Sequence, residues 1–357
     1  MSEEINLMDK KSRLTYAIIE AAVDKGIRDI EENSTRGIRN LLDLGQHFAT
    51  GRFQKDFYEF AQQMLRNSDS PYYDLVNSVV KNVDHRSLKR FGINLGYNSW
   101  TYGAKKIREY EKEYGNNIPW EIVFDLRNKA GDILSPSEIA GILDEGETMG
   151  IYSSMIFVQN DDEYLNELVE MLSLRRDGAY FLFMRPEMVT DKLCKAVRNA
   201  ANIFVGIRMD DENDAACKGA ALKLLYRKCL YGTYRVYDDS SVEYITGGDF
   251  ASAVSDLKCA FSFVVRRDGA VLKDEEVFSR FIEDSRIQSR YPFFLFDFYN
   301  DIAKVDRTIS VEDCFMCIKS DGNIAARAMD YIYEGLNIRK ESLKNILNLA
   351  MPRTRYV

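Results

Sequence analysis

Two periodicities divide the chain. Up to about residue 115, apolar positions recur every three to four residues, as in "RLTYAIIEAAVDKGIRDI", "KDFYEFAQQMLRNS" and "DLVNSVVKNV", which predicts helices. Turn signals at "NSDSP" and "GINLGYNS" are expected to separate them, and no convincing strand occurs there. From Ile118 onward, short apolar runs alternate with amphipathic stretches. "WEIVFDL", "IYSSMIFV", "AYFLFM", "NIFVGIRM", "GTYRVY" and "CAFSFVV" predict six strands, each followed by a helical pattern. After the first of them, Ser135, Pro136 and Glu138 have the spacing of a capping box with proline at the first helical position. Uniformly apolar strands alternating with helices predict an α/β chain whose parallel sheet is covered on both faces. The chain then runs through "FFLFDFYND" into "DCFMCIKSDGNIAARAM", two short strands about an Asp-Gly-Asn turn, and a helical C-terminal segment. Three regions result: a helical N-terminal region at 1–115, a (β/α)6 unit at 116–292 and a C-terminal segment at 293–357.

Composition narrows the partners. Asp and Glu outnumber Lys and Arg by 56 to 48, a net charge of −8, which argues against a general nucleic-acid or acidic-membrane binder. No apolar run approaches the ~18 residues of a spanning helix. The start "MSEEINLMDKK" is acidic and polar, unlike a signal peptide, so the expected location is cytoplasmic. The six cysteines are Cys194, Cys217, Cys229, Cys259, Cys314 and Cys317, read as reduced thiols. Cys314 and Cys317 have CxxC spacing, but a strand would point them to opposite faces, and no second pair accompanies them. His47 and His85 fall in the helical region, so no metal site is expected.

The helical N-terminus, "YGNNIPWEIVFDL", the β/α units and the late "FDFYND…IKSDGNI" hairpin resemble the radical S-adenosylmethionine enzymes, over roughly residues 105 to 345. The resemblance is to a subgroup with a helical N-terminal extension and a C-terminal auxiliary segment. It implies a (β/α)6 partial TIM-like barrel with a small C-terminal hairpin and helical segment. It also implies a CxxxCxxC motif in the loop after the first strand, whose thiolates hold a [4Fe–4S] cluster that chelates S-adenosylmethionine. Here that loop is "RNKAGDIL", Arg127 to Leu134, without cysteine; the nearest thiol downstream is Cys194. The family's GGEP-like motif falls at "VQNDD", and its auxiliary-cluster cysteine falls near Arg327. "TGGDF", at 246–250, reads as a helix start with Asp249 near the N-terminus. The expectation is a degenerate member with no cluster, no cofactor and no catalytic residue, acting as a binding or regulatory protein.

In β/α barrels ligands bind at the C-terminal strand ends. Those ends carry Asp125 and Arg127, then Gln159 and Asn160 followed by Asp161 and Asp162, Arg185, Arg208 with Asp210, Tyr237 with Asp238, and Arg266 with Arg267. The candidate ligand-binding set is Asp125, Arg127, Gln159, Asn160, Arg185, Arg208, Asp210 and Arg266. One reading is a cup of guanidinium groups around a phosphate or carboxylate. The other is that Arg127, Arg185 and Arg208 pair with Asp125, Asp161, Asp162 and Asp210. The carboxylate pairs Asp161–Asp162 and Asp238–Asp239 read as helix caps. Two further functional readings stand beside the binding protein: a barrel enzyme with cluster-independent chemistry on an anionic ligand, and a dimer built through the N-terminal helices.

Overall fold

A computed structural model of the chain describes residues 10–48, 52–128, 133–159, 161–210, 214–310, 312–326 and 331–353. Asn160, Arg327 and part of the loop after the first strand lie outside them. The N-terminal region is helical, with α1 (Lys10–Glu32), α2 (Ser34–Phe48), α3 (Arg52–Met64), α4 (Pro71–Asn82), α5 (His85–Ile93) and α6 (Ala104–Tyr114). Ser70 caps α4 as the turn signal implies, its hydroxyl accepting from the Tyr72 amide.

"GINLGYNS" does not break the chain. Asn94–Gly103 forms a π-helix that joins α5 to α6. Tertiary hydrogen bonds override the glycine signal: the buried Asn94 amide donates to the Arg176 and Gly178 carbonyls at 2.7 Å, and Asn98 donates to Asp177 at 3.0 Å. Gly103 closes the turn, because a Cβ there would strike the Gly150 carbonyl.

A ten-stranded sheet follows. Its strands are β1 (Glu121–Leu126), β2 (Ser153–Val158), β3 (Ala179–Met184), β4 (Ile203–Arg208), β5 (Tyr231–Tyr237) and β6 (Phe261–Arg266), then β7 (Phe294–Asp297), β8 (Met316–Lys319), β9 (Asn323–Ala326) and β10 (Tyr331–Asn337). Between them run α7 (Pro136–Met149), α8 (Asp162–Leu174), α9 (Asp191–Ala200), α10 (Asp214–Tyr226), α11 (Val242–Thr246), α12 (Asp249–Asp256), α13 (Glu275–Ile287) and α14 (Phe298–Ile309), with α15 (Leu343–Ala350) last. The order is β10-β9-β8-β1-β2-β3-β4-β5-β6-β7. Every pair from β1 to β7 is parallel, β8 joins β1 in parallel, and β9 and β10 are antiparallel.

The architecture is mixed α/β as expected, with two corrections. Seven consecutive parallel strands run where six are expected, because "FLFD" is β7 and "FYND" already belongs to α14. Its four-residue length hid it. Residues 331–337, read as helical, form strand β10 instead, held by pairing to β9. The capping box at Ser135 and Glu138 is present, Asp161 caps α8 through the Tyr164 amide, and Asp249 opens α12 behind Gly248 at φ 99°.

The sheet is strongly curved. Phe157 on β2 and Tyr234 on β5 are three strands apart, about 14 Å in a flat sheet, yet their rings lie 5.6 Å apart. The concave face is filled by phenyl rings: Phe157 stacks on Phe183 at 4.6 Å, Phe183 meets Phe263 at 5.2 Å, and Phe298 of α14 meets Phe157 at 5.4 Å. Phe91 of α5 closes the row against Phe181 at 5.1 Å. Gly206 and Gly232 are where this packing has no room for a Cβ.

Candidate functional site

Register brings the charged residues together. Asp125 sits opposite Phe157 of β2 on one side and Lys319 of β8 on the other, so all three share the concave face. Arg127, just past β1, grips Asp125 with both arms, Nε to Oδ1 at 2.7 Å and Nη2 to Oδ2 at 3.1 Å. Lys319 Nζ donates to the same Oδ2 at 3.1 Å and lies 3.8 Å from Asp268, which follows β6. Burial would raise the Asp125 carboxyl, but hydrogen bonds and charge from Arg127, together with Lys319, hold it down at about 2. The Arg127 guanidinium lies 5.0 Å over the Phe157 ring.

The other rim residues separate. Arg208 pairs with Asp210 at 2.7 Å, Arg266 with Glu275 at 2.8 Å and Arg267 with Asp238 at 3.1 Å. Asp238 also caps the turn 239–241. Asp161 serves α8. Gln159 is half-buried beyond β2, and Arg185 is exposed beyond β3. The pairing expected for Arg127 and Arg208 is therefore present; that of Arg185 with Asp161 or Asp162 is not among the described contacts. A cleft of about 690 Å³ lies beside the mouth, with Asp239 on its wall paired to Lys273 at 3.0 Å.

Sequence reading missed Tyr234, Lys319 and Tyr299. Tyr234 is 2% exposed and lies beside Arg208 in the register of β4 with β5. Burial pushes its phenol up to about 12, against the opposing charges of Arg127, Arg208 and Arg185. The buried Tyr299 hydroxyl on α14 has no hydrogen-bond partner among the described residues. Strand parity in "MCIK" could have found Lys319; nothing local marks the two tyrosines.

The [4Fe–4S] cluster that the resemblance implies needs three thiolates at the end of β1. The connection to α7 spans residues 127 to 135, "RNKAGDILS", and contains none. Cys317, opposite Val123, is fully buried within the sheet, and burial pushes its thiol up, away from the thiolate a metal requires. The groups present at this strand end are a guanidinium, an ammonium and the carboxylate between them. They do not fit such a cluster.

A second buried cluster lies at the opposite end of the strands. Glu121 opens β1 with both carboxyl oxygens buried and unpartnered among the described residues, close enough to Asp306 of α14 for their charges to interact. Burial pushes Asp306 up to about 8 and Glu121 well above the carboxylate range. The folded state thus holds protons that the unfolded chain releases near pH 4. Stability is expected to fall as pH rises from about 4 to 8, by about 1.4 kcal/mol per pH unit for each such proton. Asp306→Asn should flatten that slope and raise the urea midpoint at pH 8 more than at pH 5. An unchanged slope would remove Asp306 as its source.

Comparison with known proteins gives fold alone. No family model matches the sequence, and no curated protein does. Among solved structures, Streptococcus suis SuiB matches with a TM-score of 0.50 at 12% identity, over 69% of this chain and 69% of that one. SuiB bound to S-adenosylmethionine matches with a TM-score of 0.51, at the same identity and coverage. The chain shares the α/β fold of SuiB.

Proposed function

We propose that this chain is a radical-S-adenosylmethionine-like partial barrel that works by binding, without an iron–sulfur cluster and without radical chemistry. The observation that carries the reading is the end of β1, which is committed to the Asp125–Arg127–Lys319 ion network rather than to metal ligands. Beneath it, Phe157, Phe183, Phe263 and Phe298 pack against one another and fill the concave face. Both features support a scaffold whose remaining chemistry lies at the rim. The absence of cysteine between β1 and α7 supports the same conclusion, because the cluster that the resemblance implies is held by thiolates from that connection.

Anaerobic incubation with ferrous iron and sulfide tests this. After desalting, the protein is expected to retain no stoichiometric iron, to show no thiolate-to-iron absorbance near ~400 nm, and to leave S-adenosylmethionine uncleaved under dithionite. Retained iron with formation of 5′-deoxyadenosine would overturn the reading.

A further inference from the structure

We propose that the mouth holds one small oxyanion, a phosphoryl or carboxylate group, between Tyr234, Arg185, Arg208 and Arg127. The site rests on the reading that the mouth binds rather than catalyses, and it names what is bound.

The Tyr234 side chain is almost wholly buried, and its hydroxyl, which makes no hydrogen bond among the described residues, is not one of the fully buried unpartnered atoms but keeps access to the mouth. A phenol in that position ordinarily finds an acceptor. Its ring is fixed by Phe157 at 5.6 Å and Phe183 at 5.3 Å, so the O–H is aimed in advance. The phenol stays protonated at neutral pH, because burial raises it. It is therefore a hydrogen-bond donor at the site and adds no negative charge.

Three guanidinium groups, Arg127, Arg208 and Arg185, and one carboxylate, Asp210, act on that hydroxyl. Arg127 gives Asp125 its Nε and one Nη2 hydrogen, which leaves its Nη1 hydrogens uncommitted among the described residues. Arg208, paired with Asp210 through Nε, projects from the same face of the sheet as Tyr234. Arg185 is exposed and has no partner among the described residues. An anion accepting from a phenol and from guanidinium groups satisfies both needs at once. The packed aromatic floor limits the depth, so a single oxyanion group enters and the rest of its carrier stays in solvent.

The test is thermal stability of the full chain and its Arg185→Ala, Tyr234→Phe and Arg280→Ala variants. Each is titrated with inorganic phosphate and, separately, with succinate, against chloride at equal ionic strength. A rise in melting temperature is expected for at least one anion, since a ligand bound only by the folded state stabilises it. Arg185→Ala should weaken the apparent affinity by about tenfold or more and Tyr234→Phe by about fivefold, the scale of charged and neutral hydrogen bonds. Arg280, an exposed residue of α13 paired with Glu276, should be replaceable without effect. The two anions separate phosphoryl from carboxylate carriers. Absence of a shift with both, or a shift that survives both mouth substitutions, overturns the site. Neither result bears on the iron test above, so the two proposals fail separately.

Discussion

Gly232→Ala should destabilise the protein by about 3 kcal/mol or more, the upper range for overpacking a core and a large part of the whole stability of a domain. A Cβ at this position collides with the Phe261 carbonyl of the neighbouring strand and comes within 2.7 Å of Phe204 Cζ. The carbonyl belongs to the backbone of the paired strand β6 and cannot move aside without disturbing the ladder between β5 and β6. Gly206→Ala meets the ring of Phe183, which is held between Phe157 and Phe263, and should cost a comparable amount. Gly219 on α10 supplies the control. Nothing lies within 4 Å of its Cβ position, so alanine there should stabilise by up to about 1 kcal/mol through helix propensity. Urea midpoints of the three variants decide the matter; a tolerated Gly232→Ala would mean the concave face is not packed as described.

Arg353→Ala should cost about 3 kcal/mol, the scale for breaking a buried ion pair by removing one partner. The Glu111 side chain is wholly buried, and its carboxylate faces Arg353 Nη2 at 2.5 Å, the Ile118 amide at 3.0 Å and the Ser310 hydroxyl. Arg353 also donates from Nε to Asn117 at 3.3 Å and from its backbone to the Gly115 carbonyl at 3.1 Å. Without the guanidinium, Glu111 is left as an uncompensated buried charge or must take up a proton. Burial already pushes it upward with Arg353 present. Protonation becomes cheaper as pH falls, so the loss should be larger at pH 8 than at pH 5. Pairing Arg353→Ala with Glu111→Gln should lose less than the two singles added together. Equal loss at both pH values, or simple additivity, would show that the charge pair is not what anchors the tail.

The sequence carried strands β1 to β6 and the helices that alternate with them, and it carried the helix starts at Ser135, Asp161 and Asp249. It failed where the deciding interaction lay far along the chain. Asn94 and Asn98 look like turn residues until the loop before β3 supplies carbonyls for their amides. Strand β7 is four residues long and became visible only as the neighbour of β6. At the site, Asp125 and Arg127 were legible because they are two residues apart, and Arg208 with Asp210 for the same reason. Lys319 was not, since its carboxylate partner lies 194 positions away. Tyr234 reads locally as one more apolar strand position, and only the register with Arg208 gives its hydroxyl a purpose.

The parallel pairing of β8 with β1 also has a kinetic side. During synthesis the outer margin of β1 emerges nearly two hundred residues before the segment that will cover it. Until the ribosome has delivered that segment, a row of backbone amides and carbonyls remains open to any other nascent strand. A polypeptide halted just short of Met316 would hold that open margin indefinitely, so premature termination late in translation should produce aggregates rather than a merely shortened protein.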